Sequence, residues 1–280
     1  MPRRYILTIE ARENALDLYY REKRPRGGAA SDGFSSVPLP PGAFGDPEAM
    51  AGALAAGLSA YPHKRPSSVA VVVSTARTSL RVVPIPAANP DAVWPGLRRV
   101  GVPFRGGRLD AAARAHIRQS FPMGDDEPGF VFSQGVVARA DGEAALMLAA
   151  LPTALAEGLA DMCRLAGAAL GSIKKIEPLE YVLVRRYAGT GLEPVWLCLP
   201  QERSVRVISL DGGLPRCIDL ISDDPGFRDA ELTRCWYAQP HPPPARAVLL
   251  RASDGYGWLR DFLRARDVAL TEASGKELPT

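Results

Sequence analysis

Acidic residues in turns are the groups of this chain best placed to do chemistry. Glu10 and Glu13 lie in the predicted turn, residues 10–14, of an opening hairpin, "RRYILTIEARENALDLYYREKR". Some nucleotide-binding folds hold phosphate with such a hairpin, and glycine then lets backbone N–H groups approach the anion closely. This turn contains no glycine, serine or threonine. Whether the hairpin can hold phosphate is therefore the first question that the sequence raises.

Other patterns give little catalytic chemistry. Asp125, Asp126 and Glu127 could form a paired acid and base, but they sit between glycine and proline, which favours a solvated loop. The sequence contains no G-x-S-x-G, G-x-x-x-x-G-K-[ST] or G-x-G-x-x-G motif and no H-x-x-x-H pair. The four cysteines form no CxxC pair, which argues against a metal site or a disulfide framework and favours a reducing cytoplasm. We therefore predict no catalytic residue, no metal and no cofactor.

Composition excludes several partner classes. The chain has 280 residues, of which 46% are hydrophobic and 23% charged, as in ordinary globular proteins. Its net charge of +3 is too small to indicate nucleic acid, and the basic residues 21–26 lack interleaved aromatics. No apolar run approaches the roughly 20 residues of a membrane helix. The last ten residues, "TEASGKELPT", look like a linker, so a membrane segment beyond residue 280 stays open.

The order of predicted elements indicates an internal duplication. After the opening hairpin, a strand at 34–39 precedes a helix capped by Asp46 with Pro47 at its first position. The remaining predictions are strands at 67–75 and 79–86, a helix at 110–120, a hairpin at 129–138 and 143–151, a helix at 152–166, a strand at 172–178, a helix at 178–186, strands at 194–199, 204–210 and 214–221, a helix from Asp224 to 238, and a final strand, helix and strand. Two three-stranded meanders, each followed by a helix and a strand, predict a duplicated α/β fold.

Four stretches carry a family resemblance in the same order. They are "SSVPLPPGAFGDPEAMAGALAAGL", "SSVAVVVSTARTSLRVVPIP", "ARAHIRQSFPMGDDEPGFVFSQGV" and "LAGAALGSIKKIEPLEYVLVR". The chain resembles PilM-type pilus assembly proteins and the cytoplasmic domain of GspL from type II secretion, within the actin-like ATPase superfamily. The resemblance implies an actin-like (ribonuclease H-like) α/β fold with duplicated βββαβαβ lobes and an inserted small α+β subdomain. It divides the chain into a first lobe (1–86 and 152–189), the insertion (87–151) and a shortened second lobe (190–280).

The nucleotide motifs of this superfamily are altered here. Active members bind ATP and magnesium through two hairpins rich in Asp, Gly, Ser and Thr, which hold phosphate and metal. The departures are Thr8 at the family's Asp, Glu10 at its Gly, Ala15 at its Lys, Cys198 at the second Asp, Pro200 at the second Gly, and Ala252 and Ser253 at the Gly-Gly of the adenosine motif. Glu10 and Glu13 would add negative charge beside the polyphosphate. We therefore expect a pseudo-ATPase whose nucleotide positions are degenerate.

The resemblance implies a scaffold and its partners. We expect a non-enzymatic cytoplasmic protein, peripheral at the inner membrane, in a type IV pilus or type II secretion assembly platform. Its implied partners are the cytoplasmic peptide of a PilN-like membrane protein and the assembly or secretion ATPase. Phe121, Pro122 and Met123 of the insertion are candidates for the peptide surface. A homodimer stays open, as do two other functions: a divergent actin-like ATPase or kinase that binds a nucleotide in the interlobe cleft, and a small-molecule sensor.

Overall fold

Three sheets and five helices make up the part of the chain that the computed structural model describes, residues 4–23, 33–61, 66–75, 77–85, 130–138, 144–167, 172–187, 193–201, 203–237, 243–250 and 254–273. The strands are β1 (Arg4–Arg12), β2 (Ala15–Lys23), β3 (Gly33–Pro38), β4 (Pro66–Ser74), β5 (Ser79–Ile85), β6 (Phe130–Ala138), β7 (Ala144–Pro152), β8 (Ser172–Pro178), β9 (Val195–Pro200), β10 (Ser204–Asp211), β11 (Leu214–Ser222), β12 (Arg246–Leu250) and β13 (Ala269–Ala273). The helices are α1 (Pro47–Ser59), α2 (Thr153–Leu165), α3 (Leu179–Tyr187), α4 (Pro225–Tyr237) and α5 (Gly257–Arg264).

The predicted duplication is confirmed by the strand order of the two large sheets. The first sheet runs β3-β2-β1-β4-β8 and the second β11-β10-β9-β12-β13, so each is a three-stranded meander extended by two further strands. In both sheets the meander is antiparallel and the two added strands are parallel to its first strand. We call the first sheet with α1 and α2 the first lobe, and the second sheet with α4 and α5 the second lobe.

The outer face of the first sheet packs against α1 and α2. Strand alternation places Leu7, Ile9 and Ala11 of β1 on this face, where they are fully buried. Helix α1 begins where the sequence predicts, because the Asp46 carboxylate accepts from the backbone N–H groups of Glu48 at 3.0 Å and Ala49 at 3.4 Å. Every hydrophobic side chain of this core is therefore turned away from the second lobe.

The second lobe has a corresponding outer core. Trp196 and Cys198 of β9 and Val205 and Val207 of β10 face the two helices α4 and α5. Trp196 meets Trp236 of α4 edge to face, with ring centroids 5.4 Å apart. Because alternate residues of a strand point to opposite faces, Arg206, between Val205 and Val207, points to the other side of the sheet, toward the first lobe.

Helix α3 lies between the lobes and joins them. Its residues from Leu179 to Val184 are buried all round, as expected for a helix enclosed on every side. The same apolar cluster includes Tyr19 and Val72 of the first sheet, Met147 of β7 and Ile208 of β10. A continuous apolar core around α3 therefore holds the two lobes together.

Within the described residues, the third sheet, β5-β7-β6, is not paired with either large sheet, although its strand β7 adds Met147 to the apolar cluster around α3. Strand β5, which the sequence division assigns to the first lobe, pairs antiparallel with β7 over its whole length, from Ser79 to Ile85. The hairpin predicted at 129–138 and 143–151 is present as β6 and β7. The helix predicted at 110–120 lies outside the described residues, and the domain boundaries themselves stay a prediction.

Candidate functional site

The turn of the first hairpin is shorter than the sequence suggests. The β1–β2 ladder continues to the pair Arg12 and Ala15, so only Glu13 and Asn14 form the turn, and the predicted turn over residues 10–14 is wrong. In both strands, polar residues such as Glu10, Arg12 and Asp17 alternate with apolar residues, so the two kinds of side chain lie on opposite faces. Both faces are buried, and the strands therefore continue through these residues. A two-residue turn without glycine offers no loop of backbone N–H groups that could surround a phosphate.

Glu10 therefore lies within a strand and not at the tip of a loop. Its side chain is fully buried on the inner face of the sheet, directly across from Asp17, and its carboxylate accepts from the Tyr19 hydroxyl at 3.5 Å. Burial, together with the negative charge of Asp17, raises the pKa of Tyr19, so the phenol keeps its proton at neutral pH. Thr8, on the same face, is also fully buried.

The second carboxylate of this face is neutralised by its own chain. The Arg12 guanidinium lies 2.9 Å from the Asp17 carboxylate, and the Ser36 hydroxyl donates to it at 2.6 Å. Ala15, at the position where the family carries lysine, is buried and supplies no charge. The charged side chains that could have contacted a phosphate or a metal ion instead form ion pairs and hydrogen bonds within β1, β2 and β3.

The tip of the second hairpin is also closed by its own hydrogen bonds. The Gln201 N–H donates to the Ser204 carbonyl at 2.8 Å, and the Tyr256 hydroxyl donates to the Gln201 carbonyl at 2.6 Å. Pro200, at the end of β9, has no N–H to offer. Cys198 is fully buried against α4 and α5, and burial raises the pKa of its thiol to about 12, so the free thiol is protonated at neutral pH.

Charged and hydroxyl side chains of β10, α3 and the β4–β5 connection meet in a buried cluster. The Arg206 guanidinium of β10 forms an ion pair with Glu180 in the first turn of α3, donates to the Thr78 hydroxyl at 3.2 Å and donates to the Thr78 carbonyl at 3.2 Å. Burial lowers the pKa of Arg206 to about 10, so the side chain stays a cation at neutral pH. The Thr75 hydroxyl donates to the Glu13 carboxylate of the first hairpin at 2.5 Å.

Thiols and clusters of acidic side chains are the remaining groups that could carry chemistry. All four cysteines are free and three are buried. No group of three or more His, Cys, Asp or Glu side chains is arranged to hold a metal ion in the part of the chain that is described. Within the same residues, no helix is both long and apolar enough to cross a membrane. What the arrangement can do is bind the two hairpins and α3 to one another.

The sequence predictions for this site fall into two groups. The structure places Thr8, Glu10 and Ala15 in the first hairpin and Cys198 and Pro200 in the second, at separate points of the two sheets and with no contact among them that forms a cradle. The partner candidates Phe121, Pro122 and Met123, and the adenosine-motif positions Ala252 and Ser253, lie outside the described residues. Their assignments stay predictions.

Sequence reasoning missed the residues that occupy the middle of the site. Arg206 interrupts the apolar strand "SVRVISL", and Glu180 interrupts the apolar helix "LEYVLV". A single charge inside an apolar run is a signal for a buried ion pair, because an isolated buried charge is too costly. Which two of the chain's many charges are partners cannot be read from the sequence, since Glu180 on α3 and Arg206 on β10 are 26 residues apart and meet only through tertiary packing.

The fold matches solved structures over nearly the whole chain. A chain of the PilM–PilN type IV pilus biogenesis complex superposes with a TM-score of 0.68 at 16% identity, over 96% of this chain and 88% of that one. A Bacteroides thetaiotaomicron protein with an actin-like ATPase fold and unknown function gives 0.57 at 8% identity, over 97% and 91% of the two chains. The predicted actin-like fold class is therefore confirmed.

A third match comes from a secretion system. The cytoplasmic domain of EpsL, an inner membrane component of the type II secretion system of Vibrio cholerae, superposes with a TM-score of 0.51 at 12% identity, over 98% of this chain and 88% of that domain. No protein-family model matches the chain, and no curated protein sequence does. The resemblance to PilM and to the secretion protein is thus confirmed at the level of the fold, which is all that such identities show.

Proposed function

We propose that this protein is a non-enzymatic scaffold of a type IV pilus or type II secretion assembly platform. The observation that carries the proposal is the state of the two hairpins, whose tips are closed by internal hydrogen bonds and whose carboxylates are paired within the chain. A scaffold needs a stable frame and surfaces, not reactive groups. An actin-like frame without a phosphate cradle meets that need.

The proposal extends to location and partners. The two named neighbours come from a complex with PilN and from an inner membrane component of a secretion system. By analogy, the protein acts at the cytoplasmic side of the inner membrane and binds the cytoplasmic peptide of a PilN-like protein, with the assembly ATPase as a second partner. An extended peptide would gain main-chain hydrogen bonds at a sheet edge and pockets for alternate side chains.

A nucleotide titration tests whether the protein is a pseudo-ATPase. A ligand at 100 times its Kd stabilises a protein by about 2.7 kcal/mol. For a chain of this size that raises Tm by roughly 5–10 °C, since each kcal/mol is worth about 2–4 °C. We expect less than 1 °C on adding millimolar Mg-ATP or Mg-ADP. A saturable rise of several degrees would contradict the proposal and favour the divergent ATPase or kinase.

A peptide titration tests the partner. The cytoplasmic segment of a PilN-like membrane protein is labelled with a fluorophore, and its anisotropy is followed as the protein is added. We expect saturable binding, and a tenfold or greater weakening by Phe121→Ala with Met123→Ala. Phe227→Ala is the matched control, because Phe227 is an exposed aromatic side chain on α4, in the second lobe. Absence of binding, or equal weakening by the control, would contradict the proposed peptide surface.

A further inference from the structure

A buried ionic cluster connects β10 of the second lobe with α3 and with the connection between β4 and β5. It consists of Arg206 on β10, Glu180 at the start of α3, and Thr78 between β4 and β5, with exposed fractions of 8%, 1% and 3%. One guanidinium nitrogen contacts both the Glu180 carboxylate and the Thr78 hydroxyl, and the other contacts the Thr78 carbonyl. Thr78 and Arg206 are separated by 128 residues, so only the folded arrangement of the lobes brings them together.

The hydrogen bonds of Thr78 fix the relative orientation of the groups in the cluster. Its hydroxyl oxygen lies 2.8 Å from the Glu180 carboxylate and 2.8 Å from the Thr75 carbonyl, and it also accepts from Arg206. A hydroxyl has one proton to donate, so these two acceptors share it while the lone pairs face the guanidinium. Each group thus fixes the orientation of the next, and a shift of either lobe by about 1 Å would break several contacts at once.

The first hairpin is connected to the same segment. Thr75 lies three residues before Thr78, and its hydroxyl holds the Glu13 carboxylate at the hairpin turn. The segment from Thr75 to Thr78 therefore contacts the first hairpin, the start of α3 and the second lobe. Hydrogen bonds of Thr75 and Thr78 therefore link Glu13 of the first hairpin to Arg206 of β10.

The apolar core around α3 cannot fix the lobes in the same way. Apolar contacts are non-directional, so they resist separation of the lobes but tolerate sliding and rotation. Buried ion pairs add little net stability against an apolar replacement, yet they penalise every arrangement that leaves one charge unpaired. The apolar core keeps the lobes together, and the cluster selects one relative orientation.

We propose that Arg206, Glu180 and Thr78 form an interlobe latch that holds the two lobes in a single closed arrangement. The latch connects β10, the start of α3 and Thr78 in the connection between β4 and β5. It involves contacts within this chain only. It therefore goes beyond the proposed function, and its test needs no partner.

Spin labels on the two lobes test the latch directly. Ser59→Cys at the end of α1 and Thr233→Cys on α4 are exposed sites, one on each lobe, in a Cys217→Ser background that removes the half-buried thiol. We expect one narrow distance distribution in the full-length parent, and at least a twofold broader or a two-peaked one after Arg206→Met or Glu180→Gln. Arg206→Lys should be intermediate, since it keeps the charge but loses the forked geometry.

Arg216→Met is the matched control. Arg216 is also a partly buried arginine, but its ion pair with Asp211, at 3.5 Å, stays inside the second lobe. We expect it to leave the distance distribution unchanged. A distribution after Arg206→Met that equals those of the parent and of Arg216→Met would overturn the latch.

Hydrogen exchange separates local release from general destabilisation. After Arg206→Met, exchange in residues 77–80, 179–187 and 204–211 should rise at least tenfold while α1 stays protected. An equal rise in α1 would mean general destabilisation and would overturn the latch. If Arg206→Met does not fold, Thr78→Val is measured instead, because it removes only the hydroxyl and keeps the ion pair. An unchanged distance distribution in Thr78→Val would then overturn the proposal.

Discussion

Replacing Gly57 by alanine tests how closely α1 packs on the first sheet. A Cβ atom built at Gly57 meets the Leu18 Cδ1 atom at less than contact distance and lies 2.8 Å from the Val37 Cγ2 atom. Leu18 is fully buried, so its side chain cannot move into solvent. The helix must shift away from β2 and β3, or Leu18 must leave its preferred rotamer.

The magnitude follows from two opposing effects. Alanine is favoured over glycine in a helix by about 1 kcal/mol. Overpacking a filled core costs about 1–3 kcal/mol, and a fully buried contact belongs near the upper end. Gly57→Ala should therefore lower the free energy of unfolding by about 1–2 kcal/mol, against the direction of helix propensity.

Gly52 supplies the matched control on the same helix. It is exposed, and no atom lies within 4 Å of a Cβ built there, so Gly52→Ala should stabilise the protein by about 0.5–1 kcal/mol. The two variants should then differ by about 1.5–3 kcal/mol, or roughly 3–12 °C in Tm. Thermal unfolding followed by circular dichroism measures this. Equal stabilisation by both substitutions would refute the close packing of α1 on Leu18 and Val37.

Three further predictions concern a helix cap, a core residue and the thiols. Asp46→Ala should cost about 1 kcal/mol of unfolding free energy, because it removes the acceptor of two N–H groups, while Asp46→Asn should cost much less in the same urea titration. Leu159→Ala should lower the free energy of unfolding by about 2–5 kcal/mol, because the Leu159 side chain of α2 is fully buried. Leu165, at the end of the same helix, is 46% exposed, so Leu165→Ala should change that free energy by no more than about 0.5 kcal/mol. Burial raises the pKa of Cys198 to about 12 and that of Cys163 and Cys217 to about 11. Because the thiolate is the reactive form, the native protein at pH 8 should react slowly with Ellman's reagent, first at half-buried Cys217, and faster as the pH approaches 11. Rapid reaction that survives Cys217→Ser would contradict the burial of the other thiols.

The elements of this fold follow from local sequence patterns. The apolar run "YILTI", the Asp46-Pro47 start of α1 and the Asp211-Gly212-Gly213 turn are each determined by interactions among neighbouring residues, and the structure confirms the strands and the helix that they predict. Gly212 and Gly213 have φ angles of 55° and 78°, which glycine adopts without strain. The repeated order of elements also sufficed to predict the duplicated sheets.

The length of the two strands in the opening hairpin could not be predicted from neighbouring residues alone. Glu10 and Arg12 have the composition of a turn, but the first lobe buries one and pairs the other with Asp17, so the strand continues through both. Burial of a carboxylate is tolerated because Tyr19 donates to it. The hydrogen-bond partner of the buried Glu10 carboxylate is on β2. It can be identified only when the register of β1 and β2 is known.

The sequence by itself determined the class of fold and the absence of glycine at the hairpin tips. Both depend on residue type and spacing, which act over a few positions along the chain. Only the tertiary structure determined which side chains meet in the cluster of Arg206, Glu180 and Thr78. The ion pair of Glu180 and Arg206 and the hydroxyl of Thr78 meet because three elements distant in sequence pack around α3. A buried charge requires a partner, but the choice of that partner belongs to the packing of the two lobes.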